Sequence, residues 1–210
     1  MRRGIVVIGV LAVVAALWWF DPANVVTGAA SAARDFITRG KRLSRSNLSS
    51  GTAQPGADDL LAQASAAVGR DVDRDAYALA RMIRSEADQK LAATSHVSRL
   101  LRAHVAWNDS RAHGWRLFET VTHGRGTYGA QAGRRYSTAA DPYENDLAIA
   151  ESVIESRDGG GPDPTDGATK FANTRGGFEI PQAWLDEGYQ PVEIIADNVE
   201  SDLVFLREAA

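Results

Sequence analysis

The chain has 210 residues, with 23 Lys and Arg against 27 Asp and Glu, a net charge of −4 and a pI near 5.6. That length suits one compact domain with appendages, and the mild acidity argues against a nucleic-acid binder, which shows a basic patch or stripe. There is no cysteine, which excludes disulfides, thiolate catalysis and Cys-based metal sites.

Gly4 to Phe20 is an unbroken apolar run. About 17 residues at roughly 1.5 Å each span about 25 Å, the short end of a bilayer-crossing helix. Arg2 and Arg3 precede it, so the positive-inside rule keeps residues 1–3 in the cytoplasm and exports the rest. Trp18 and Trp19 lie at the far end, where an aromatic belt is expected. A cleaved signal peptide is the competing reading. Its best cleavage pattern, Ala30-Ser31-Ala32, sits well past the apolar run, and Trp18-Trp19-Phe20 is a bulky approach to a peptidase site. Residues 4–20 are therefore read as an uncleaved transmembrane anchor.

Residues 21–57 read as a juxtamembrane segment and linker. Ala29 to Thr38 is modestly amphipathic, and from Lys41 to Ala57 the composition turns to Ser, Gly, Asn, Gln and Pro55. Such a stretch buries too little apolar surface to order itself, which predicts a flexible tether. The folded domain is expected over residues 58–210. Asp58-Asp59 can start a helix that runs to Val68 and stops at Gly69. A second helix spans about Asp73 to Ala87, with Ala76, Leu79, Ala80, Ile83 and Ala87 on one stripe. Glu86 falls about 20° from Leu79, inside that stripe, whereas Arg81, Arg84 and Asp88 point elsewhere. A carboxylate turned toward a core is costly unless it is paired or protonated. Glu86 is thus either a rim residue bonded to a neighbouring Arg or an acid whose pKa is raised by burial, as a general acid requires.

Val97, Leu100, Leu101 and Val105 mark a third helix ending near Trp107 to Ser110, and Ala112 to Thr122 adds a turn or two. Gly124 to Tyr136 is glycine-rich and suits a loop or small hairpin. Asp141-Pro142-Tyr143-Glu144 reads as an N-cap, a first helical position and a capping-box partner. The helix that follows carries Leu147, Ala150, Val153 and Ile154 and stops at Gly159-Gly160-Gly161. Asp163-Pro164 and Asp166-Gly167 dictate turns in a structured loop. Pro191 to Ile195 and Leu203 to Leu206 are short apolar runs in the tail. The expected fold class is α+β, mainly α, with one or two short strand pairs.

His96, His104, His113 and His123 show no metal-ligand spacing, so no metal or other cofactor is implied. No nucleophile-elbow context surrounds any Ser, and Gly159-Gly-Gly161 lacks the Lys-Ser of a phosphate loop. Gly126-Thr-Tyr-Gly-Ala-Gln131, with Tyr136 close behind, offers aromatic rings and planar amides, the groups that stack on and hydrogen-bond to sugars. An ordinary polar hairpin is the other reading. Phe171 and Asn173 could face a groove.

In order, Leu79-Ala-Arg-Met-Ile-Arg-Ser-Glu-Ala87, Val105-Ala-Trp-Asn108 and Asp163-Pro-Thr-Asp-Gly-Ala168 with Phe171 and Asn173 resemble the SleB-like cell-wall hydrolases. That family includes the spore-cortex-lytic enzymes, with phage and bacterial peptidoglycan lytic transglycosylases as relatives. The resemblance covers about residues 75–175. It implies a lysozyme-like domain with a short hairpin, peptidoglycan glycan strands as partner, and Glu86 as the catalytic acid. Tyr128, Gln131, Tyr136, Asn173, Phe171 and Asn108 are then the candidate substrate-binding residues. The chain departs from the family after Glu86-Ala87, which continues Asp88-Gln-Lys rather than Arg-Gly-Glu, and after Asn108, where Asp109 replaces Arg. The expected activity is that of a membrane-anchored lytic transglycosylase cutting between N-acetylmuramic acid and N-acetylglucosamine. Two alternatives stay open. One is a hydrolytic muramidase or glucosaminidase using Asp109 or Asp141 as second carboxylate; the other is a non-catalytic wall-binding protein.

Overall fold

Helix α2 (Arg74–Glu86) is the axis on which the domain is assembled, and it is buried on every face from Ala76 to Arg84. Leu79 and Ile83 supply the apolar stripe, but Arg81 and Arg84 are buried as well, against the expectation that they point elsewhere. Their burial follows from what packs around α2. Helices α4 (Leu117–Thr122) and α5 (Glu144–Asp158) cover it, and α1 (Ala57–Val68) and α3 (His96–His113) also touch it. A helix enclosed from several sides has no solvent face for its charges, so those charges need partners.

The computed structural model describes residues 40–44, 55–86, 96–122, 141–174, 179–194 and 203–209. The chain divides into two units, Met1–Thr38 and Arg39–Ala210, and every described residue belongs to the second. The proposed anchor at 4–20 and the glycine-rich segment at 124–136 lie outside the described residues. Among the described residues no helix is long and apolar enough to cross a membrane.

Glycines mark the ends of two helices. Gly69 caps α1 in the left-handed conformation (φ 73°), its N–H bonding to Ser65 O, a role that suits a residue without Cβ. Gly159 caps α5 through bonds to Arg157 O and Glu155 O. The start of α5 is a correction. Asp141 and Pro142 stand before the helix, and the N-cap is Tyr143. Asp146, three residues on, accepts the Tyr143 N–H at 2.9 Å, while the Asp141 carboxylate turns into the core toward Arg81.

Residues 41–44, at the start of the expected tether, are held against the folded unit. Leu43 is buried, its N–H bonds to Pro142 O at 2.9 Å, and Glu144 N–H returns to Lys41 O at 3.0 Å. One leucine and a few backbone bonds dock this segment on α5 despite the polar composition around it.

The tail forms one three-stranded antiparallel sheet of order β1-β3-β2, built from β1 (Lys170–Asn173), β2 (Tyr189–Val192) and β3 (Leu203–Glu208). Both apolar runs of the tail contribute strands, and the Phe171 segment supplies the third. Phe171 pairs with Phe205 across β1 and β3, their rings 6.5 Å apart, and β1 packs on α3. Short α6 (Gln182–Asp186) leads into β2. The architecture is α+β, mainly α.

Candidate functional site

Glu86 occupies the last turn of α2 and is half-buried. Met82 and Ile83, four and three residues earlier on its side of the helix, are fully in the core. Two residues before it, Arg84 grips Asp146 of α5 with two bonds, Nε to Oδ2 at 2.8 Å and Nη2 to Oδ1 at 3.0 Å. Arg99, in the first turn of α3, adds a third bond to Asp146 Oδ1 at 3.0 Å. The Arg84 guanidinium also lies 4.8 Å over the Tyr143 ring. The end of α2 and the beginnings of α3 and α5 therefore meet on one fully buried carboxylate.

A second charged group lies deeper along α2. Arg81, with no exposed surface, stands 3.3 Å from Asp141, and Ser44 donates to Asp141 Oδ1 at 3.3 Å while accepting from the Tyr77 hydroxyl at 2.6 Å. Burial pushes the Tyr77 phenol up, against the pull of Ser44 and Arg81. Asp141 is thus consumed by a core arginine.

The other pieces of the motif series converge elsewhere. Asn108 of α3 is buried, and its Nδ2 donates to Asp163 Oδ2 at 2.7 Å, Thr165 Oγ1 at 3.1 Å and Ala168 O at 3.0 Å. Its Oδ1 accepts from Arg157 at 3.2 Å. Asp163 in turn folds the loop, accepting from Thr165 N at 2.9 Å, Thr165 Oγ1 at 2.7 Å and Gly167 N at 2.9 Å. Burial works to raise the Asp163 pKa, but its bonds to Thr165, Gly167 and Asn108 outweigh it and hold the carboxyl below the ordinary range. His104 lies beside this group, 4.0 Å from Asp163. Burial lowers its pKa, with Asp163 opposing and Arg157 reinforcing the shift. Asn108, expected to bind sugar, is an internal anchor whose amide is fully engaged.

Asp109 is buried too, with Oδ1 3.1 Å from His113 Nδ1. Burial raises its pKa, with His113 and Lys170 opposing the shift. Its position matters for the chemistry. α2 and α3 run antiparallel: Arg84 and Arg99 share Asp146 at one end, and at the other Asp75 of α2 accepts the Phe118 N–H beyond α3 at 3.0 Å. Ten residues of α3 separate Arg99 from Asp109, about 15 Å of helix. Glu86 and Asp109 therefore stand toward opposite ends of the helix pair.

Of the remaining candidates, Phe171 is buried under the sheet and Asn173 is exposed at the end of β1. Tyr128, Gln131 and Tyr136 lie outside the described residues. Sequence reasoning missed Asp146, Arg99 and Arg157. Asp146 at the third position of α5 carried a capping signal, but its arginine partners are 62 and 47 residues away in the chain, beyond any local pattern. Among the described residues no group of three or more His, Asp and Glu is gathered to hold a metal ion. The site belongs to an α+β, mainly α domain; no protein-family model, curated protein or solved structure matches the chain.

Proposed function

We propose that the chain is a membrane-anchored, outward-facing enzyme that cleaves peptidoglycan glycan strands as a lytic transglycosylase, with Glu86 as its single acid and base on a lysozyme-like domain. One observation carries the single-carboxylate reading. Among the described residues, the acids considered as partners for Glu86 are committed or remote: Asp146 to Arg84 and Arg99, Asp141 to Arg81, and Asp109 about 15 Å along α3 from Arg99. A glycosidase that uses water needs two carboxyls about 5 to 9.5 Å apart.

A lytic transglycosylase works with one. Protonated Glu86 donates to the glycosidic oxygen between N-acetylmuramic acid and N-acetylglucosamine as the C1–O bond breaks. The resulting carboxylate takes the proton of the muramyl 6-hydroxyl, and that oxygen attacks C1 to close the 1,6-anhydro ring. No water is consumed and Glu86 ends protonated again. The hydroxyl is tethered to its target, so proximity replaces an activated water. Glu86 stands in the last turn of α2, on the side of the helix where Met82 and Ile83 are buried. In this scheme Tyr128, Gln131, Tyr136 and Asn173 contact sugar, while Asn108 and Phe171 support the wall from beneath. An anchor at residues 4–20 would hold the domain within reach of the cell wall.

Digestion of purified peptidoglycan by the full chain, with products weighed by mass spectrometry, tests the reading. Anhydro-muropeptides are expected. Products heavier by one water would assign a hydrolase, and an untouched sacculus would assign a wall-binding protein.

A further inference from the structure

We infer that the Arg84–Asp146–Arg99 group is the positioning device of Glu86, an inference that rests on the catalytic role proposed for that residue. Asp146 has no exposed surface and accepts four hydrogen bonds: two from Arg84, one from Arg99 and one from the Tyr143 N–H. These four bonds come from three chain segments, the last turn of α2, the first turn of α3 and the N-cap of α5. Arg84 is held on a further side by the Tyr143 ring, whose hydroxyl accepts from Arg42 at 3.1 Å.

A buried ion group of this kind is a poor source of stability, since the desolvation of its charges offsets most of their attraction, and apolar replacements of similar volume are often as stable. What it supplies is direction. Two parallel bonds from a planar guanidinium fix both the distance and the rotation of the Arg84 side chain. The grip is made in the same helical turn as Glu86, so the rotation of that turn about the α2 axis follows Asp146. A misplacement of about 1 Å can cost roughly 100-fold in rate. Arg84, Asp146 and Arg99 act through Glu86 and touch no substrate; they are positioning residues.

The test separates direction from stability. The full chain would carry Arg84→Met, Asp146→Leu and Arg99→Met together, and in a second variant Arg99→Met alone, which leaves Asp146 paired with Arg84 should the triple fail to fold. Wild type and Glu86→Gln run alongside, on soluble glycan strands, with kcat and KM measured separately and folding followed by circular dichroism. Folded variants are expected to keep KM within about twofold while kcat falls, by tenfold or more in the triple and roughly threefold for Arg99→Met. A folded variant with native kcat, beside an active wild type and an inactive Glu86→Gln, overturns the positioning role alone. A raised KM at unchanged kcat also overturns it. A wild type that leaves glycan uncut, or an active Glu86→Gln, overturns the catalytic reading and the positioning role with it.

Discussion

Asp163→Ala should unfold the domain more readily by an amount the structure lets one reckon. The carboxylate accepts four hydrogen bonds, two at Oδ1 from Thr165 and two at Oδ2 from Gly167 N and Asn108 Nδ2, all between 2.7 and 2.9 Å. At about 1 kcal/mol net for each bond, the sum is about 4 kcal/mol. Water can take over the exposed Gly167 N–H, whereas buried Asn108 loses one of three acceptors, so about 3 kcal/mol is expected. For a domain of this size that corresponds to a fall in Tm of roughly 6–12 °C. The pH dependence sharpens the test. The folded Asp163 pKa lies below the ordinary carboxylate value of 3.8. Its contribution is therefore fully present above that value and is lost as pH falls through the folded one. Urea unfolding of wild type and variant should show a wide gap at pH 7 that narrows below about pH 4. A gap under about 1 kcal/mol at pH 7, or one that does not change with pH, would refute the claim that this carboxylate holds the turn to α3.

Asp109 predicts the opposite sign. Burial raises its folded pKa above the ordinary value of 3.8, so its charge weighs against folding once pH rises through the folded value. Asp109→Asn should raise Tm at pH 7, and the gain should vanish near pH 3, both read by thermal melts; a lower Tm at pH 7 would show that the His113 contact dominates. Gly69→Ala should cost about 1 kcal/mol. A Cβ there meets nothing within 4 Å, so the penalty is the left-handed backbone alone. Gly69→Asn, which tolerates that conformation better, should cost less in the same urea titration.

The existence of α1 to α5 and some of their ends were legible in the sequence because they depend on neighbours in the chain, whereas the short α6 was not read. Periodicity marked α2 and α3, and glycines marked the ends of α1 and α5. The tail strands were visible as apolar runs. What was not legible depends on contacts distant in sequence. Arg81 and Arg84 looked like solvent-facing charges because nothing nearby announces Asp141 and Asp146, 60 and 62 residues on. The same pairing displaced the start of α5, since Asp141 offered as good a local cap as Asp146 until Arg81 drew it into the core. Leu43 is a single apolar residue in a polar stretch, and composition averages it away. At the candidate site, the bonds that join Asn108 to the Asp163 turn, 55 residues on, had no local signal, and spacing cannot tell an amide that meets a ligand from one that is spent inside the fold. Glu86 was singled out by its place on the apolar stripe, and it lies half-buried at the end of α2.

The measurement that bears most directly on the central claim is peptidoglycan turnover by Glu86→Gln beside wild type, both shown to be folded by circular dichroism. Wild type should release 1,6-anhydro-muropeptides, and Glu86→Gln, which keeps the shape of the side chain but has no proton to give, should release at least about 100-fold less. A folded Glu86→Gln that cuts glycan at the wild-type rate would contradict the account.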